Sequence, residues 1–130
     1  MVEKVITATC EFYMDENLVL HIIVLPNAKI DFEDALDNAL VIRHLTNGRR
    51  VLKLTDSRNY WSITKRGKQV VFKENDRQTL ARAIVVTNTL SSSIRNLFLK
   101  MHSQDIPIKF FGSYDAAYER LVNCGKGLSV

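Results

Sequence analysis

Cysteine is scarce in this chain: Cys10 and Cys124 are the only two in 130 residues, far apart and outside any CxxC pair. A small secreted domain stapled by disulfides needs more of them, so both are expected as free thiols, one in a strand and one near the C-terminus. Histidine is nearly as sparse. His21, His44 and His102 have no HxxxH or HxH companion, so no metal-ligand spacing exists. Long hydrophobic runs are missing too. The longest stretch, residues 18–25, is interrupted by His21 and falls far short of the roughly 20 residues that span a bilayer. No P-loop and no GxGxxG occurs, and Ser91, Ser92 and Ser93 lack the GxSxG setting of a serine nucleophile. No cofactor, metal or catalytic residue is expected.

What remains is an ordinary folded composition, with 46% hydrophobic and 25% charged residues. Disorder would need fewer apolar residues and a larger net charge. The net charge of +4 comes from cations scattered among acids, so no nucleic-acid partner is expected. The first four residues run straight into a strand pattern with no signal peptide, which points to the cytoplasm. The length suits one core, with residues 1–125 as a single domain and 126–130 as a tail.

Ile6, Ala8, Cys10 and Phe12 alternate with Thr7, Thr9, Glu11 and Tyr13, a period of two that predicts one strand. Asp15, Glu16 and Asn17 supply a turn, and residues 18–25 form a second strand covered on both faces. The short spacing makes the pair an antiparallel hairpin. Asp31 is a good N-cap, followed by Phe32, Ala35, Leu36, Ala39 and Leu40 at helical spacing, with Asn47 and Gly48 as the stop. Residues 50–55 form a third strand, 59–62 a loop, and Ser62 or Thr64 caps a second helix to about Lys73, weakened by Gly67. Residues 81–86 form a strand. Thr87 or Asn88 caps a third helix bearing Leu90, Ile94, Leu97, Phe98 and Met101. Residues 106–111 form the last strand, and Ser113 opens a final helix that ends at Gly125. The expectation is an α/β domain, β-β-α-β-α-β-α-β-α, with a five-stranded mixed sheet covered by helices.

The run Leu54-Thr55-Asp56-Ser57-Arg58-Asn59 closes the third strand. Ser93-Ile94-Arg95-Asn96-Leu97-Phe98-Leu99-Lys100 lies on the third helix, and Ile106-Pro107-Ile108-Lys109-Phe110-Phe111 precedes Ala116-Ala117. With the order of elements, these runs resemble the STAS-like proteins, the anti-sigma-factor-antagonist fold, and within them a branch of uncharacterised bacterial domains. The resemblance implies a non-enzymatic module that binds a protein partner or a small ligand. In the anti-sigma-antagonist branch a serine in an Asp-Ser-Ser-Gly-like turn is phosphorylated. Asp56-Ser57-Arg58-Asn59 lacks the second serine and the glycine.

Ligands of open α/β sheets gather beyond the carboxyl ends of the strands. Asp56, Ser57, Arg58 and Asn59 stand at such an end, followed by Tyr60 and Trp61, read as exposed aromatic anchors, and by Lys65 at the start of the second helix. These seven are the candidate contact residues for a protein partner, with a small ligand or lipid carried in a pocket as the alternative. The plainer reading is a polar loop in which Asp56 caps backbone amides and Trp61 covers the second helix. A receiver-like phosphotransfer arrangement would place Asp15 and Glu16, Asp56, Thr87 and Lys109 together around Mg²⁺. Lys65, Arg66, Lys68, Lys73 and Arg77 make the second helix basic. They form a solvated face, or a surface for an anionic lipid, RNA or an acidic partner. Leu99 and Tyr118 are expected off their helices' buried stripes, a pair that would suit a homodimer or partner surface.

Overall fold

The first alternating segment is two strands, not one. The computed structural model describes residues 2–128, side chains of 75–77 and 125–128 excepted, and in it β1 (Lys4–Ile6) folds back antiparallel on β2 (Cys10–Met14). Threonine hydroxyls cause the break by competing for the backbone. Thr7 Oγ1 accepts the amides of Thr9 and Cys10 at 3.3 and 3.1 Å. Thr7 donates to Asn38 Oδ1 at 2.7 Å, and Asn38 Nδ2 donates to Thr9 Oγ1 at 3.0 Å. The reversal is thereby tied to a buried asparagine on the first helix.

β2 pairs antiparallel with β3 (Val19–Val24), setting Tyr13 opposite His21 and Phe12 opposite Ile22. A short β4 (Ala28–Ile30) leads to α1 (Phe32–Thr46), which Asp31 and Asp34 open as a capping box and Asn47 closes in the left-handed region. β5 (Val51–Asp56), β6 (Trp61–Ile63), α2 (Lys65–Gln78), β7 (Thr79–Val85), α3 (Ser92–Met101), β8 (Ile108–Phe111) and α4 (Tyr114–Leu128) follow.

The main sheet has six strands, not the expected five, in the order β1-β2-β3-β5-β7-β8. From β3 to β8 the pairs are parallel. Each crossover moves the same way along the sheet, so α1, α2 and α3 share one face. There Phe12, Leu20, Ile22, Ile84, Leu97 and Phe98 form the larger core. On the other face α4 sets Ala117 and Leu121 against Val19, Leu52, Leu54 and Ala83. β4 and β6 form a separate parallel pair. Three residues per strand are too few to show a period in the sequence, and the expected 59–62 loop gives way to β6 at its end.

Other boundaries moved for local reasons. α3 is capped by Ser91, whose Oγ accepts the amide of Ile94, not by Thr87 or Asn88, so Leu90 stays in the preceding loop. α2 continues to Gln78, and α4 runs past Gly125 to Leu128, into the segment expected as a tail. α1 is rotated from its expected orientation: Ala35, Asn38 and Ala39 face the sheet, leaving Leu36 40% and Leu40 60% exposed. Among the described residues, no helix is long and apolar enough to cross a membrane.

Gly67, the residue that weakens α2 on propensity grounds, is required by packing. A Cβ there would stand 2.7 Å from the carbonyl oxygen of Ile30, which itself accepts the amide of Thr64 at 2.9 Å. The first turn of α2 therefore rests directly on the end of β4. Helix propensity alone would make Gly67→Ala stabilising by about 1 kcal/mol. The close approach predicts a loss of about 1–3 kcal/mol in urea unfolding. A gain in stability would show that α2 is not held against Ile30.

Candidate functional site

β5 and β7 end level, with Asp56 opposite Val85, and Ser57 extends the ladder by one bond from its amide to Val85 O at 2.9 Å. The Asp56 carboxylate then turns the chain. Its Oδ1 accepts the backbone N–H and the Nε–H of Arg58 at 3.1 and 2.9 Å, and Oδ2 accepts Nη2–H at 2.8 Å. This fork, led by the hydrogen bond to Asp56, raises the Arg58 pKa further above its usual value. The guanidinium carbon also stands 5.7 Å from the centre of the Tyr114 ring, at the start of α4.

The loop is strapped at two further points. Asn59 Nδ2 donates to Val24 O at 3.1 Å, and the amide of Asn27 donates to Tyr60 O at 2.8 Å. Tyr60 consequently faces outward and is 71% exposed. Trp61 does the opposite. It was expected as an exposed anchor, but it is 6% exposed and meets Phe98 edge-on at 6.4 Å between ring centres. Pairing of β6 with β4 directs its side chain under α3 and removes it from the contact surface.

Ser57, Arg58, Asn59, Tyr60 and Trp61 line one wall of a cavity of about 230 Å³, and Thr89, Leu90, Ser91 and Ile94 line the other. Of the seven residues picked from sequence, five meet here. Asp56 lies behind them as the clamp on Arg58. Lys65 is exposed in the first turn of α2, beyond β6 and outside the cavity lining. The wall from the β7–α3 connection was missed because the expected cap at Thr87 or Asn88 buried those residues in a helix.

The receiver arrangement does not assemble. Val19 pairs with Leu52 and Ile23 with Asp56, so the Asp15 turn lies beyond the amino end of the parallel strands, opposite Asp56. Lys109 is exposed on the edge strand β8. Asp15 serves a second cluster. Its Oδ2 receives His21 Nε2 at 2.8 Å and the Tyr118 hydroxyl at 2.7 Å, while its Oδ1 accepts the amides of Asn17 and Val19. His21 is a buried, hydrogen-bonded core histidine, as expected, and its Nδ1 meets the Tyr114 hydroxyl. A carboxylate only accepts, so Nε2 carries the proton shared with Asp15, and in the neutral imidazole Nδ1 accepts from Tyr114. Tyr13 stacks on the ring at 4.3 Å. Burial, then the hydrogen bond with Tyr13, raises the Tyr114 pKa far above that of a free phenol, which suits a fixed donor and opposes a nucleophile. Tyr118 is thus half-buried and bonded, not an exposed apolar residue, whereas Leu99 is exposed.

Sequence spacing could not join residues 93 and 103 positions apart. The only signal was the Tyr114/Tyr118 pair four apart on one helix face. Two further buried groups also escaped. Lys53 and Arg82 are opposite one another on β5 and β7 beneath α1 and α2, and burial pushes the Lys53 ammonium well below its usual pKa. Cys10 is buried and free, its thiol pushed up to about 11 by burial, which makes it inert. Among the described residues no group of three or more His, Cys, Asp or Glu is arranged to hold a metal.

Comparison with known proteins agrees with this architecture. The family described as Domain of unknown function (DUF7793) matches residues 12–123. No curated protein matches the chain significantly. The crystal structure of an uncharacterized DUF3478-family protein with a SpoIIAA-like fold, from Shewanella loihica PV-4, superimposes with a TM-score of 0.63 at 12% identity, covering 93% of this chain and 92% of that one. The STAS-like fold inferred from the sequence is therefore the fold of this chain.

The Asp15 cluster generates a pH dependence. Burial would raise the Asp15 pKa, but bonds from His21, Tyr118, Val19 and Asn17 together outweigh it and hold the value below that of a free aspartate. A lowered native pKa gives stability that is full above the unfolded value of about 3.9 and is lost as pH falls through the native value. Asp15→Asn should therefore lower stability by about 2 kcal/mol at pH 7, the scale of hydrogen bonds to a charged group. The gap from the wild type should narrow below about pH 4. Urea unfolding at pH 7 and pH 3 checks this, and a gap independent of pH would remove the carboxylate from the account.

Proposed function

The chain belongs to the DUF7793 family, and we propose that it acts as a non-enzymatic regulatory or binding module that docks a protein partner through the loop after β5 and the start of α2. The observation that carries this reading is Tyr60, an exposed aromatic on a loop fixed at both ends by Asn59–Val24 and Asn27–Tyr60 hydrogen bonds. A rigid exposed aromatic gains contact area without an ordering penalty on binding, the usual property of an interface anchor. Lys65 and Arg66, exposed in the first turn of α2, add positive charge to the proposed surface, so a partner with acidic groups suits it. A non-catalytic role is supported by the Asp56 oxygens being held by Arg58 and by burial suppressing ionisation of Tyr114 and Cys10. The reading assigns the module to the cytoplasm, where such regulatory partners reside.

A photo-crosslinking residue substituted at Tyr60, and separately at Glu119 on the exposed side of α4, tests it in the native host. One discrete cross-linked protein from position 60 and none from position 119 is the expected result. A band containing only a second copy of the chain would make the surface a homodimer interface. Equal or absent products from the two positions would refute docking at this loop.

A further inference from the structure

The main sheet has two edges, and they are finished differently. At one edge β8 presents Lys109, exposed within the strand and, among the described residues, outside any ion pair. A lysine standing out on an edge strand opposes pairing with another chain. At the other edge β1 also carries a lysine, but Lys4 is drawn inward. Its Nζ stands 3.4 Å from a Glu11 carboxylate oxygen and 5.7 Å from the centre of the Tyr13 ring, both on β2. The edge it would guard is left to Ile6, 64% exposed on the sheet face that α4 covers only from β3 onward.

The ladder decides which backbone groups this edge offers. Antiparallel strands alternate between bonded and unbonded residue pairs. The amide of Thr7 donates to Cys10 O at 2.9 Å, so in this register Val5 and Phe12 form the next bonded pair, and Ile6–Glu11 and Lys4–Tyr13 are unbonded. β2 agrees from its other side. The amide of Leu25 donates to Thr9 O and that of Asp15 to Val19 O, which gives Glu11 and Tyr13 to β3 and leaves Phe12 for β1. The N–H and C=O groups of Lys4 and Ile6 therefore point away from the sheet. The edge is also fixed within the single chain: Glu3 Oε2 meets His44 Nε2 on α1 at 3.2 Å, and Thr7 bonds Asn38.

Self-complementarity names the occupant. A second copy can pair antiparallel with β1 about a two-fold axis only in registers that match outward residues with outward residues. One register sets Lys4 against its own copy, like charges directly opposite. Another sets Ile6 against Ile6 and matches Lys4 with Ala8, which lies outside β1. The register centred on Val5 sets Lys4 opposite Ile6 in both directions. It uses both outward donors and both outward acceptors of the strand, opposes no like charges, and brings Val5 against Val5 on the helix-covered face.

We propose that β1 is a homodimer edge, across which two copies join antiparallel about Val5 to continue one sheet through both chains. This edge is separate from the loop after β5 proposed above for a protein partner, so either can fail without the other.

Sedimentation equilibrium of the full chain between about 10 µM and about 1 mM tests it, the affinity range suited to a small interface. The expected result is a monomer–dimer equilibrium within that range. Ile6→Pro removes one outward N–H and no bond within the chain, and the preceding Val5 is already in a strand. Its circular dichroism should stay native while the dimer weakens about tenfold or more. Ile6→Lys, facing Lys4 of the second copy, should weaken the dimer to a similar degree, whereas Ile6→Glu, facing the same lysine, should keep it to within about threefold. Ile6 is exposed, so these two variants decide the matter even if the proline variant unfolds. A chain still monomeric at the top of the range, a dimer that folded Ile6→Pro leaves unchanged, or lysine and glutamate variants that behave alike would overturn the proposal.

Discussion

The carboxylate of Asp56 is the pin at the carboxyl end of the parallel strands. It ends β5 level with β7 and collects three N–H groups from a residue only two positions on. That reversal lays residues 58–60 across the ends of β3 and β5, where Asn59 reaches Val24 and Tyr60 receives Asn27. Only from there can the chain enter β6 beside β4 and send Trp61 into the core. Arg58 is nearly half exposed as a side chain, so as an ion pair the contact adds about 0–1 kcal/mol to global stability. Its importance is geometric. It decides which aromatic faces out and which faces in.

The two faces of the sheet divide the work. Three crossover helices cover one face and build the large apolar core, into which Trp61 packs edge-on against Phe98. A single helix, α4, covers the other, with Tyr114 and Tyr118 bonded into the Asp15–His21 cluster at its start. A lone helix over an open sheet has fewer apolar contacts to locate it, and the directional bonds of that cluster supply what packing does not. Tyr114 touches both systems, bonding His21 on one side and lying beneath Arg58 on the other. The mouth of the cleft and the docking of α4 are thus coupled through one residue.

Much of this was legible in the sequence for identifiable reasons. The Asp31 cap and the Asn47-Gly48 stop are local signals and delimited α1 correctly, and the hairpin followed from the spacing of β2 and β3. The strand-end rule picked out Asp56 and Ser57, and both lie at the carboxyl end of β5, where the chain reverses. Features that depend on distant partners were not legible. β4 and β6 are three residues each and exist only because they pair with one another. Trp61 follows a polar run and reads as surface until β6 turns it inward. The exposed Leu36 and Leu40 reflect a rotation of α1 set by the bonds of Asn38 to Thr7 and Thr9, which no hydrophobic period records. His21 was recognisable as a core histidine, but its partners on α4 were not.

The central claim, that the Asp56 fork orders the whole rim, is tested most directly by native-state hydrogen exchange on the wild type and Asp56→Asn. The account predicts that the amides of Arg58 and Asn27 are protected in the wild type. In the variant both should exchange at least about tenfold faster, the equivalent of roughly 1.4 kcal/mol of local stability, while Thr55 within β5 is unchanged. Wild-type exchange of Arg58 and Asn27 at the rate of an unstructured peptide, or protection that survives the substitution intact, would contradict it.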